Sequence, residues 1–118
     1  MELQEAVARF SYAERAKSEL IIGSQLLGSL AGYKGEERNG ARRMLVAFIG
    51  AVSSELAFAC QATSEAEFSR AQALLHDAAD AIEREEYEVA SETIGRSISA
   101  ATTAAQHAWQ VLADHGLV

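Results

Sequence analysis

Glu55 is the carboxylate with the most unusual neighbours in the chain. Met44, Phe48, Ala51 and Phe58 surround it on the surface of one predicted helix. A carboxyl in so apolar a setting holds its proton more tightly and can serve as a general acid or base. The plainer expectation is preferred: Glu55 sits at a bundle rim and pairs with an arginine from another helix. His76, Asp80 and Glu83 fall at i, i+4 and i+7, a usable spacing for metal ligands. They point away from the apolar stripe Phe68/Leu75/Ile82, whereas a metal site in a helical bundle needs inward ligands and, in its di-iron form, Glu-x-x-His. No Glu-x-x-His occurs in the chain. The expectation is no metal and no cofactor.

The stretch "GYKGEERNGARR" (residues 32–43) gathers Lys34, Arg38, Arg42 and Arg43 among three glycines. Gly35 and Gly40 have the glycine spacing of a phosphate loop, but Ala41 and Arg42 stand where that loop needs Lys and Ser/Thr, and no strand precedes it. A weaker role remains. If a helix starts at Gly40, its free N–H groups with Arg42 and Arg43 could hold an anion or an acidic partner peptide. A solvated corner between helices is the preferred reading.

These residues need helices to position them, and the chain is written for helices. It has no proline, and alanine is its commonest residue. Leu3, Ala6, Phe10, Ala13, Leu20, Leu27 and Ala31 make one stripe of period 3.6, predicting a helix over about 2–31. Ala41, Leu45, Phe48, Val52, Leu56 and Ala59 make a second, over about 36–62. Ser64-Glu65-Ala66-Glu67 has the pattern of a capping box, and Phe68, Ala71, Leu75, Ala78 and Ile82 carry a third helix over about 64–83. Continued past Ile82, that stripe would land on Glu85, Val89, Glu92, Arg96, Ser99 and Thr103, nearly all polar. The apolar set found there is Tyr87, Ala90, Ile94, Ile98, Ala101, Ala105, Ala108 and Leu112. The chain must therefore turn near 83–87 and begin a fourth helix over about 86–115. The fold class is all-α: one domain, an antiparallel up-down-up-down four-helix bundle. The basic corner (Lys34, Arg38, Arg42, Arg43) and the acidic one (Glu83, Glu85, Glu86, Glu88) would share an end.

Arg70 and His76, with five residues between them, resemble the Arg…His signature of HEPN-type helical ribonucleases, which are themselves compact α-helical bundles. The resemblance covers one helix and implies an RNA-processing or toxin–antitoxin component with Arg70 and His76 catalytic. Composition points elsewhere. The formal charge is −7, with seven acids and seven bases in residues 1–59 but ten acids and three bases in 60–118. Nucleic-acid binding needs the opposite balance. Cys60 is alone, which fits a reducing cytoplasm, and the acidic N-terminus does not read as a secretion signal. Residues 44–64 are apolar enough to merit a membrane check; Ser53, Ser54, Glu55, Gln61 and Thr63 interrupt them, so a buried helix is expected rather than a span.

Too much of this helical surface lacks charge. Leu20, Leu27 and Ala31 face one way, while Ile22, Leu26 and Leu30 face another; Met44, Phe48 and Phe58 lie beside the stripe of the second helix. A helix apolar over more than one face must bury the second. The leading expectation is thus a non-enzymatic, self-associating interaction or adaptor module, most simply a homodimer through Leu20, Ile22, Leu26, Leu27 and Leu30. A small-ligand or metal-binding bundle around Glu55 stands third, after the RNA-processing alternative.

Overall fold

A computed structural model describes all 118 residues. Four helices follow in order: α1 (Leu3–Ser29), α2 (Gly35–Thr63), α3 (Ala66–Glu83) and α4 (Tyr87–Asp114), with a single 3-10 turn, Leu30–Gly32, closing α1. Cross-helix contacts give the direction of each. Arg9 meets Thr63, Arg15 meets Glu55 and Gly23 meets Phe48, so α1 and α2 run antiparallel. Ser53 meets His76 across α2 and α3, and Ser97 meets Ala71 across α3 and α4. Both pairs fix the same alternation. Helix α4 closes the ring by packing along α1. The result is an up-down-up-down four-helix bundle, 54 Å long and about 20 Å across.

The stripes read from the sequence are the core. Leu20, Leu27, Leu45, Val52, Leu56, Phe68, Leu75, Ile82 and Ile94 are all buried, in one continuous cluster of 22 residues. Alanines complete it: Ala13 and Ala16 from α1, Ala71 and Ala78 from α3, Ala100, Ala101 and Ala104 from α4. By length and composition alone α2 could cross a membrane, with a third of its most apolar window buried. Here it is one wall of the bundle.

Two chain reversals differ from the sequence reading in an instructive way. Ser64 does not cap α3. It adopts the left-handed conformation (φ 58°) and ends α2, its N–H bonding to Cys60 O at 2.9 Å. A residue committed to that conformation cannot also take the extended backbone of an N-cap, so Glu65 caps α3, accepting from the Glu67 N–H. The α3–α4 turn, placed at 83–87 by phase alone, is a Schellman turn without glycine. Glu86 N–H reaches Ala81 O, Glu85 N–H reaches Ile82 O, and Glu85 takes the left-handed position at φ 61°.

The end of α1 brings a third correction. Leu30 is buried and Ala31 is exposed, the reverse of the expected sides. The 3-10 turn explains it: at 3.0 residues per turn rather than 3.6, each residue advances about 20° further round the axis, which swings Leu30 inward.

Candidate functional site

Helices α1 and α2 are the most loosely packed neighbours in the ring, and the side chains between them say why. Where α4 meets its neighbours through alanines, this seam holds Tyr12, Arg15 and Glu19 from α1 against Phe48, Glu55 and Phe58 from α2. The antiparallel register brings Arg15 opposite Glu55. A groove of about 340 Å³ opens there, lined by Tyr12, Arg15, Ala16, Ser54, Glu55, Leu56, Phe58 and Ala59.

Arg15 sits between two carboxylates. Its Nη2 donates to Glu55 Oε1 at 2.6 Å, and its Nε lies 3.6 Å from Glu19 Oε1. The rim ion pair expected for Glu55 is therefore formed. The surprise is the second acid. Glu19 Oε1 and Glu55 Oε2 are both buried, and with both acids ionised neither has a donor. Burial pushes the Glu19 carboxyl up to about 7, the hydrogen bond and negative charge of Glu55 push the same way, and Arg15 opposes them. Near neutrality Glu19 carries a proton for much of the time, and Glu55 accepts the hydrogen bond it makes. Behind Glu19 lies a small apolar recess formed by Leu20, Phe48, Val52, Leu75 and Ile94. That recess is the physical source of the desolvation.

Sequence reasoning found Glu55 and missed Glu19. The only local signal was that Glu19 follows Arg15 by four residues and precedes Leu26 by seven, which places all three on one side of α1.

Around this pair runs an uncharged, exposed strip. Ile22 follows Arg15 by seven residues and Leu26 follows Glu19 by seven, so both lie on the side of α1 that faces α2. Met44, Ala51 and Phe58, each seven apart, lie beside Glu55 on α2. Ile22 is 47% exposed, Leu26 43%, Met44 74% and Phe58 69%. The other three leucines expected at an interface, Leu20, Leu27 and Leu30, belong to the subunit's own core. They support the strip from beneath and cannot touch a partner. Glu14 and Lys17, the remaining charges of mid-α1, pair with each other.

The remaining candidates are held in structural contacts. Arg70 bonds Glu67 on its own helix, while the exposed His76 turns its Nε2 to the buried Ser53 Oγ at 2.7 Å. Six residues on a helix separate Arg70 from His76 by about 120° round the axis and about 9 Å along it, so their side chains serve different neighbours. Ser53 and His76 have the look of nucleophile and base, but Ser53 is only 5% exposed. The N–H groups near it are spent in the α2 ladder, leaving none to stabilise an oxyanion. No group of three or more His, Cys, Asp or Glu side chains converges as a metal site would require.

At the basic corner α2 begins at Gly35 (φ 57°), not at Gly40. The first turn thus carries Glu36 and Glu37, which repel an anion, and the condition for a phosphate grip fails. Arg42 is engaged by Glu85 at 3.0 Å, Asn39 at 2.8 Å and the Tyr87 hydroxyl. The expected meeting of basic and acidic corners is real, and these contacts raise the affinity of Arg42 for its proton, Tyr87 contributing most. Arg38 bonds Tyr33 O; Lys34 precedes α2 without capping it by its side chain, and Arg43 is exposed.

At the opposite end Glu65, 5% exposed, ties three elements together. It caps α3, lies 3.7 Å from Arg9 of α1 and 3.1 Å from His107 Nδ1 of α4. Arg9 also donates to Thr63 O and Glu5. This is a clamp on the chain's other reversal, with most of its polar atoms satisfied internally. Arg9 Nε is buried there without an acceptor, and the groove between α1 and α2 holds the other two such atoms, Glu19 Oε1 and Glu55 Oε2, beside apolar rims. No family model matches the chain, and neither the curated proteins nor the solved structures gave a match.

Proposed function

We propose that the protein is a non-enzymatic interaction module whose docking surface is the α1/α2 face, and that alone it self-associates through this face as a homodimer. One observation carries the reading: Ile22, Leu26, Met44 and Phe58 stand exposed on a strip whose only charges are Arg15, Glu19 and Glu55. Met44 to Phe58 spans about 21 Å of helix, so a strip two helices wide offers about 400 Å² of footprint, about half of the roughly 800 Å² per partner of a standard interface. A patch of that size is often functional, and here it is continuous with the only ion-pair network of the α1/α2 seam. The lone, half-buried Cys60 suits a reducing cytoplasm. The RNA-processing alternative asks Arg70 and His76 to work on one substrate, and their separation round α3 does not favour it.

Light scattering across the micromolar range tests the proposal. The expected mass is twice the 12.6 kDa of the chain. A clean 12.6 kDa species throughout would overturn it.

A further inference from the structure

We infer that the α1/α2 face receives a basic side chain at its centre, presented by a partner helix whose apolar stripe is interrupted by one arginine or lysine. The inference rests on this face being the docking surface and names the chemistry of what docks there.

The charge arrangement is the argument. Two carboxylates share one guanidinium, so the ionised site is one positive charge short, and Glu19 Oε1 and Glu55 Oε2 have no donor. Buried acceptors left without a donor cost free energy until one is supplied. A neutral donor would satisfy one oxygen, but only a proton or a cation supplies a donor and the missing positive charge together. Facing Glu19 are Arg15 from its own helix and Glu55 from α2, while α3 and α4 contribute only Leu75 and Ile94. No further base is within the subunit to answer the need. Glu55, 37% exposed at its side chain, can turn Oε2 outward by rotation about its own bonds. An incoming guanidinium or ammonium then donates to both acids and displaces the shared proton.

The flanks of the site say what carries the cation. Ile22, Leu26 and Met44 lie toward one end of the strip and Tyr12 and Phe58 toward the other, so the complementary helix is apolar, then basic, then apolar. A second copy of this chain brings an equally acid centre and an overall charge of −7, which opposes it electrostatically. The two occupants therefore have opposite pH dependences. A basic helix releases the proton and binds more tightly as pH rises through 7; a second copy must keep the proton and binds less tightly.

The test uses three synthetic amphipathic peptides of about 18 residues, with identical leucine stripes and arginine, glutamine or glutamate at the centre. Each is labelled and titrated with the full chain, at about pH 8 and about pH 5.5, on either side of the Glu19 transition. The arginine peptide should bind about tenfold more tightly than the glutamine peptide at the higher pH, with a several-fold smaller preference at the lower. The glutamate peptide should be weakest. Glu19→Gln with Glu55→Gln should remove the preference while leaving apolar binding, and Arg15→Gln should enlarge it. Equal affinity for arginine and glutamine at the higher pH, or a preference that survives the double substitution, overturns the inference. If no peptide binds, or phosphatidylcholine vesicles bind in their place, the inference falls, but a dimer split by Leu26→Asp would still uphold the docking surface. Absence of both peptide binding and dimer would remove the two readings together.

Discussion

Helix α4 and helix α2 pack against α1 by opposite means. Along α4, Ala101, Ala104 and Ala108 are wholly buried, and α4 packs along α1, whose Ala6 and Ala13 are wholly buried too. Methyl groups let the helix axes approach closely, and the many atoms then in range supply dispersion and exclude water. Along α2 the same α1 meets aromatic rings, an arginine and two acids. Bulk and charge hold those helices apart and leave a groove. The lesson is one of division: α1, α3 and α4 secure the fold through small residues, and the α1/α2 seam stays open enough to bind.

Enlarging one residue in the closed core and one on the open α1/α2 face is the severest way to test that contrast. Ala104→Leu, at a fully buried site, should destabilise the protein by about 3 kcal/mol, whereas Ala51→Leu on the exposed α2 face should stay within about 0.5 kcal/mol. Urea unfolding of both variants decides it; equal losses would mean that the α1/α2 face is as closely covered as the core.

A milder perturbation acts on the acid pair. The folded Glu19 carboxyl titrates at about 7 against an ordinary 4.5. Between those values the folded state binds more protons than the unfolded one, so its stability falls as pH climbs from 4.5 toward 7 and levels off above. Glu19→Gln should remove this slope and, at about pH 8, raise stability by about 1–2 kcal/mol after allowance for solvent screening. A melting-temperature profile against pH that is unchanged by the substitution would show that the pair is not desolvated. Smaller still is the effect at the turn bounding α2. Ser64→Gly relieves a left-handed serine and should stabilise by about 1 kcal/mol, read as a higher urea midpoint; a loss would mean that the hydroxyl contributes more than the backbone strain costs.

The helices were legible because burial here follows a strict period. Ala71, Leu75, Ala78 and Ile82 belong to one phase and Ala90, Ile94, Ala101 and Ala108 to another, and the mismatch located a turn that contains neither glycine nor proline. What local pattern could not show was register between helices. Glu19 looked like any solvated acid four residues from an arginine; only the pairing of α1 with α2 brings Glu55, 36 positions away, against it. Leu30 and Ser64 misled for a related reason. A tightened last turn rotated one inward, and a left-handed backbone withdrew the other from capping, and neither event leaves a mark in apolar periodicity. Glu55 was found because its neighbours on its own helix already made it unusual.

Sedimentation velocity on three proteins, measured side by side in the micromolar range, addresses the docking face most directly. Leu26 on the α1/α2 strip and Val89 on α4 are similarly exposed, at 43% and 50%, so Leu26→Asp and Val89→Asp differ chiefly in the face they spoil. Wild type and Val89→Asp should sediment as dimers and Leu26→Asp as a folded 12.6 kDa monomer. If Leu26→Asp remains dimeric, or if Val89→Asp is the variant that dissociates, the α1/α2 face is not where the copies meet.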